Sequence, residues 1–228
     1  MKIKVINIFI LIVTLVGTFL VLSFLPDVVP VHFNIHGIAD RWGSKYELLT
    51  MPGCMAAMIA TWFVCDRGFS KKLKGEISDK ERAEVLANIK VINITFTVIS
   101  IMFFCINFAI MYMSYSQLET TPEAKVDIMK IVTAIMGLSF ILMGNIMPKT
   151  RNNPTIGFRL PWTRFNDATW QRCNRLGGII MVICGILTVI AGLVFSGMTS
   201  IIIMLLITVL SMIILTIYAY GVCKQEKK

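Results

Sequence analysis

Acidic residues are scarce in this chain, 13 against 22 Lys and Arg, and there are only two histidines, His32 and His36. Its six cysteines form no CxxC pair and no Cys/His ligand spacing, so neither a disulfide framework nor a structural zinc site is indicated. Glycine-rich phosphate loops, dinucleotide fingerprints and metalloprotease helices are missing as well. No Asp, Glu, Lys or Arg lies near the middle of any long apolar run. Charge in that position usually marks an ion or proton path, so its absence argues against a proton-coupled transporter. The sequence calls for no cofactor and no enzymatic activity.

Apolar residues are abundant. They make up 56% of the chain, with a mean hydropathy of +0.76, above the roughly 45–50% of ordinary soluble domains. The excess falls into six runs near 3–25, 48–65, 91–114, 128–147, 178–196 and 200–222, each about the 20 residues that a membrane-spanning helix needs. The first is longer than a signal core and lacks an A-x-A-like cleavage site, so it reads as a retained span. The fold expected is all-α and polytopic: six transmembrane helices, both termini cytoplasmic, and a short extracellular lid between helices 1 and 2. Eighteen of the 22 basic residues fall on the side of the termini, which the positive-inside tendency makes cytoplasmic; it also explains the net charge of +9 without nucleic acid. The expected location is a cell membrane, crossed several times.

Five segments organise the chain: 1–65, a helix pair with the outer loop; 66–90, a basic cytoplasmic loop; 91–147, helices 3 and 4; 148–177, an inner Arg/Trp loop; and 178–228, a C-terminal helix hairpin with a basic tail. Glycine recurs at sevens, at Gly137 and Gly144 in the fourth span and at Gly178, Gly185 and Gly192 in the fifth. Such a period holds a bare stripe on one helix face, which predicts close packing of spans four and five. Polar residues within spans, among them Asn7, Asn93, Thr95, Thr97 and Asn107, are expected to hydrogen-bond between helices.

In the outer loop, alternation from Val29 to His36 predicts an extended strand with His32, Asn34 and His36 on one side and a turn at Gly37 that brings Asp40 near. Three readings stay open for this group: a solvated lid, recognition of a ligand or peptide, or a metal site made by His32, His36 and Asp40. Ser44 is the only serine there, and nothing activates it. On the inner side, Ser78 and Glu81 form a capping box that opens a helix into span three, and Lys71, Lys72 and Lys74 suit anionic lipid. Within 153–178, Asn166 or Asp167 caps a short helix whose face carries Trp170, Cys173 and Gly177, expected to lie along the membrane surface. The arginines of this loop serve either as a lipid anchor or as a docking surface.

Two of these stretches resemble known signatures. The outer LPDVVPVHFNIHGIADRWGSK resembles a small domain of unknown function found at the start of many bacterial membrane proteins, with Pro26, Pro30, His32, Phe33, Gly37, Asp40, Ser44 and Lys45 on its pattern and His36 off it. The inner NPTIGFRLPWT, followed by Trp170 and Gly177, resembles the signature loop of the SdpI family, with Asn153, Gly157, Arg159, Pro161, Trp162, Thr163, Trp170 and Gly177 matching. The resemblance implies a membrane immunity protein whose partners are the lipid bilayer, a secreted membrane-active peptide toxin and a cytosolic winged-helix autorepressor held at the membrane, with no direct contact to nucleic acid. A small-molecule or peptide exporter and a membrane metalloprotein are the alternatives.

Overall fold

A computed structural model describes residues 2–34, 38–118, 127–153 and 156–226. Six long helices dominate: α1 (Lys2–Phe24), α2 (Thr50–Leu73), α3 (Asp79–Ser116), α4 (Ile128–Ile146), α5 (Asp167–Val194) and α6 (Met198–Glu226). All six are long and apolar enough to cross a membrane, and the chain is a multi-pass membrane protein. A two-stranded antiparallel sheet, β1 (Val28–Phe33) and β2 (Ala39–Ser44), joins α1 to α2 through a 3-10 turn at Lys45–Leu49.

The helices overrun the apolar runs, because a helix ends where its backbone is capped and not where hydrophobicity stops. Most of 66–90, expected as loop, is therefore helical. α2 continues to Leu73, and α3 opens at Asp79 with Ser78 and Glu81 in the reciprocal capping box. At 1.5 Å per residue the 38-residue α3 is roughly 57 Å long, against a hydrocarbon core of about 30 Å. It therefore reaches well beyond the bilayer.

Packing divides the bundle into α1–α2–α3 and α4–α5–α6, joined along α3 and α4. In the first group Met55, Ile59 and Trp62 of α2 fill the core against Ile10, Leu11, Phe96 and Phe103. Trp62 Nε1 donates to Asn93 Oδ1 at 2.8 Å, and Asn107 Nδ2 donates to Thr18 Oγ1 at 3.0 Å. These two asparagines bond between helices as expected, whereas Thr97 turns back to the Asn93 carbonyl of its own helix. At the other end of α1, Lys4 pairs with the buried Asp66 of α2.

In the second group α4 and α5 approach most closely. A Cβ added at Gly137 would stand 2.7 Å from the Gly185 carbonyl oxygen, and one at Gly144 would stand 2.7 Å from that of Gly178. Gly192 continues the row beside Lys130 and Ala134. The seven-residue spacing on both helices keeps an antiparallel pair in step, so backbone meets backbone where side chains would hold the helices apart. Asp127 secures the far end, capping α4 through Met129 and Lys130 and accepting from Gly197 N in the α5–α6 turn at 2.7 Å.

Candidate functional site

The two motif stretches occupy opposite ends of the bundle. At the first end, Val29 is fully buried in a cluster with Leu22, Leu25, Leu48 and Met111, which holds the hairpin onto α1 and α3. Strict alternation fails here: Pro30 is buried with Val29, and the register slips on both sides of His32. The reason is a second strand, Ala39–Ser44, which pairs with β1 and bulges it. Pro30 accepts a buried hydrogen bond from Ser114 Oγ at 2.8 Å, and Ala39 N donates to Gln117 Oε1 at 2.7 Å. Both tethers come from the end of α3.

His32 Nδ1 lies 2.5 Å from Asp40 Oδ1 on the exposed face of the hairpin. The proximity inferred from a turn thus results from strand pairing. Asn34 lies past the end of β1, and His36 and Gly37 are outside the described residues. Ser44 caps the 3-10 turn, accepting from Tyr46 N. Lys45 reaches back to the Leu25 carbonyl at 3.1 Å and to Asp27 at 3.2 Å, tying the base of the hairpin to the end of α1. Pro26 lies at that junction and Phe33 ends β1. Gly43 is tight, since a Cβ there would collide with the Glu47 side chain, which is itself bonded to Arg41 at 2.9 Å.

At the opposite end, the loop before α5 folds into a cap. Asn153 is buried; its Nδ2 donates to the Arg151 and Ile156 carbonyls and its Oδ1 accepts from Ile156 N, holding a tight turn. Gly157 has φ +112, where L side chains are rarely found, and a Cβ there would stand 2.7 Å from Asn174 Oδ1 and 2.8 Å from Trp170 Cζ2. Asn174 Oδ1 instead receives Phe158 N at 2.8 Å. Thr163 closes the next turn, its hydroxyl placed between Leu160 N and the Phe158 carbonyl. Arg159 and Pro161 are on the exposed side of this cap, and Trp162 lies edge-on to Tyr220 of α6.

Among the described residues of this loop there is no separate surface helix. Asn166 caps α5, which runs unbroken from Asp167 into the span, so Trp170, Cys173 and Gly177 face protein and not the membrane surface. Trp170 is 1% exposed, and its Nε1 donates to the Thr150 carbonyl at 3.0 Å. Cys173 packs with Phe158, Leu215, Ala219 and Val222, while Gly177 makes room for Met147 and Leu215. Sequence reasoning missed Asn88 and Asn174, because a buried asparagine within a helix carries no local signature. Asn88 Oδ1, from α3, accepts from Arg151 N at 2.9 Å and from Asn153 Nδ2 at 3.4 Å.

Both ends fall in segments that known proteins share. Residues 149–219 match the SdpI/YfhL protein family, and residues 9–56 match a domain of unknown function, DUF1648. The SdpI/YfhL match lies behind the DUF1648 match in the chain. The SdpI/YfhL match takes in the cap, α5 and most of α6; the DUF1648 match takes in most of α1, the hairpin and the start of α2. Over 228 residues the chain is 22% identical to immunity protein SdpI of Bacillus subtilis (strain 168), covering 99% of this chain and 98% of that one. This likeness extends across both segments and the helices between them. No solved structure matches.

Proposed function

We propose that this chain is a membrane immunity protein that protects its cell against a secreted membrane-active peptide toxin. The hairpin faces outward and the SdpI/YfhL cap faces the cytoplasm, as the bias of basic residues toward the termini supports. The observation that carries this reading is that the two motif surfaces stand at opposite ends of one bundle and a single helix, α3, hydrogen-bonds to both. The chain is also similar, end to end, to a protein named for immunity.

The exposed His32–Asp40 pair and the Arg41–Glu47 ion pair give the hairpin a polar face for an amphipathic peptide. Toxin bound there bears on the tethers from Ser114 and Gln117, and α3 carries the displacement to Asn88 and the cap. The packed glycines of α4 and α5 make a second connection from the cap into the span. A cap altered in this way is the surface on which a cytosolic winged-helix repressor docks, through Arg159 and the neighbouring exposed residues. The protein acts by binding and not by catalysis.

The test deletes the gene, measures killing and membrane depolarisation by the candidate peptide, and complements with wild type, His32→Ala, Asp40→Ala or Arg159→Ala. Protection is expected from wild type, with loss in the two hairpin variants and retention in Arg159→Ala, which loses repressor recruitment instead. Equal sensitivity with and without the gene would remove the immunity reading.

A further inference from the structure

Between the overhanging ends of α2 and α3 and the start of the cap lies a cleft of about 360 Å³. Phe69 and Lys72 of α2, Glu84 and Asn88 of α3 and Asn152 line it. It stands beyond the hydrocarbon. From Asn88 to Ser114 the helix rises roughly 39 Å, against a core of about 30 Å, and no charged residue follows Lys90 in α3.

The fold leaves three polar groups of this cleft unused. Asn88 is 3% exposed. Its Oδ1 accepts from Arg151 N and Asn153 Nδ2, which fixes the orientation of the amide and turns Nδ2 to the other side. That nitrogen donates to no group among the described residues, and it is not sealed from solvent. Asn152 is half-buried; its Nδ2 reaches only the Arg164 carbonyl, at 3.5 Å, and its Oδ1 accepts nothing among the described residues. Glu84 is half-buried too, and its carboxylate makes no ion pair or hydrogen bond among the described residues. The other two charges answer each other. Glu81 accepts from the N–H and hydroxyl of Ser78, both at 3.1 Å, and the charge of Lys72 favours its ionised form. One negative charge therefore remains, on Glu84.

A buried donor, an acceptor and a carboxylate call for a carbonyl, an N–H and a cation together. Glu84 and Asn88 are four residues apart on α3, so their side chains are neighbours, about 5–6 Å apart at Cβ. A peptide group beside a basic side chain supplies all three partners, and Phe69 covers the aliphatic stem. Lys71 and Lys74 flank Lys72 at the end of α2, and Arg151 is exposed at the start of the cap. These cations repel a polybasic tract, so a segment with one basic residue fits best.

We infer that this cleft receives a loop of a cytosolic protein carrying a single Arg or Lys. The cation pairs with Glu84, the adjoining carbonyl accepts from Asn88 Nδ2, and an N–H donates to Asn152 Oδ1. The inference rests on the proposed cytoplasmic placement of the cap.

Cys65 lines the same cleft, half-buried, and reports on its occupancy. The full chain in detergent is alkylated with N-ethylmaleimide in the presence of N-acetyl-Gly-Arg-Gly-amide, and each cysteine is read by peptide mass spectrometry. The peptide is expected to slow alkylation at Cys65 and not at Cys54, near the opposite end of α2. Citrulline in place of the peptide's arginine, or Glu84→Gln, should raise the half-protecting concentration about tenfold, the factor that a hydrogen bond to a charged group supplies. Glu76→Gln, at the same end but outside the cleft, should leave it unchanged. Equal protection by the arginine and citrulline peptides, a comparison that needs no variant, would overturn the inference, as would no effect of Glu84→Gln. Stronger protection by a tri-arginine peptide would show a diffuse acidic surface and overturn it too. Protection by guanosine monophosphate or phosphatidylethanolamine but not by the peptide would give the cleft to a base or a lipid amine, with the same consequence. Reaction of Cys65 with a membrane-impermeant maleimide on intact cells would instead sink the cytoplasmic placement, a failure that the detergent assay does not register.

Discussion

Asn88 Oδ1 accepts hydrogen bonds from Arg151 N and Asn153 Nδ2, so one side chain of α3 holds the start of the cap. Ser114, on the same helix, holds the hairpin through the Pro30 carbonyl. In Asn88→Ala the Arg151 N–H is left without its partner at the foot of α3, at about 1–3 kcal/mol. Hydrogen exchange should rise at 150–153 while the hairpin keeps its protection, and repressor recruitment should fall with toxin binding retained.

Exposed ion pairs contribute little to stability, about 0–1 kcal/mol, and the His32–Asp40 pair is exposed on both sides. Asp40→Ala is therefore expected to leave thermal unfolding in detergent nearly unchanged while abolishing protection against the peptide. A large drop in unfolding temperature would reassign the pair to folding.

Gly157→Ala puts a Cβ against Asn174 and Trp170 and forces a left-handed φ on a side chain. Strain of this kind costs about 1–3 kcal/mol. Limited proteolysis of the cap should accelerate in this variant, with the helices still protected.

Glycines in the two halves of the molecule should respond in opposite directions. Gly137→Ala and Gly144→Ala drive a Cβ into the α5 backbone, and overpacking of a tight contact costs about 1–3 kcal/mol. Around Gly53 and Gly68 of α2, apart from the adjoining backbone of the helix itself, no atom of the described residues comes within 4 Å of an added Cβ. There the change to Ala should stabilise by up to about 1 kcal/mol from helix propensity. Thermal unfolding of the four variants checks the contrast.

Trp62→Phe strands the buried Asn93 oxygen, at about 1–3 kcal/mol. Adding Asn93→Leu should recover part of that loss, because the second substitution removes the unpaired group. A double-mutant cycle reads the coupling.

Long-range pairing limited what could be read beforehand. The capping box at Ser78 and Glu81 and the six apolar runs are local patterns, and each appears in the helices. The Val29–His36 alternation located a strand but not its partner, because Ala39–Ser44 carries Asp, Arg, Gly and Ser and has no strand periodicity. Trp170 looked like a residue of the membrane boundary. It is buried because the cap folds back over α5 and brings the Thr150 carbonyl to its ring nitrogen.

The sequence by itself determined a membrane-embedded helical chain with two motif loops separated by spans, since hydrophobic length and glycine period act within one helix. Tertiary structure alone decided that His32 meets Asp40, that Gly137 lies on Gly185, and that Asn88 closes the cap. Those partners stand 8, 48 and, to Asn153, 65 residues apart. Only packing brings such groups together, because directional hydrogen bonds and backbone contacts have no reach along the chain that pattern or composition can record.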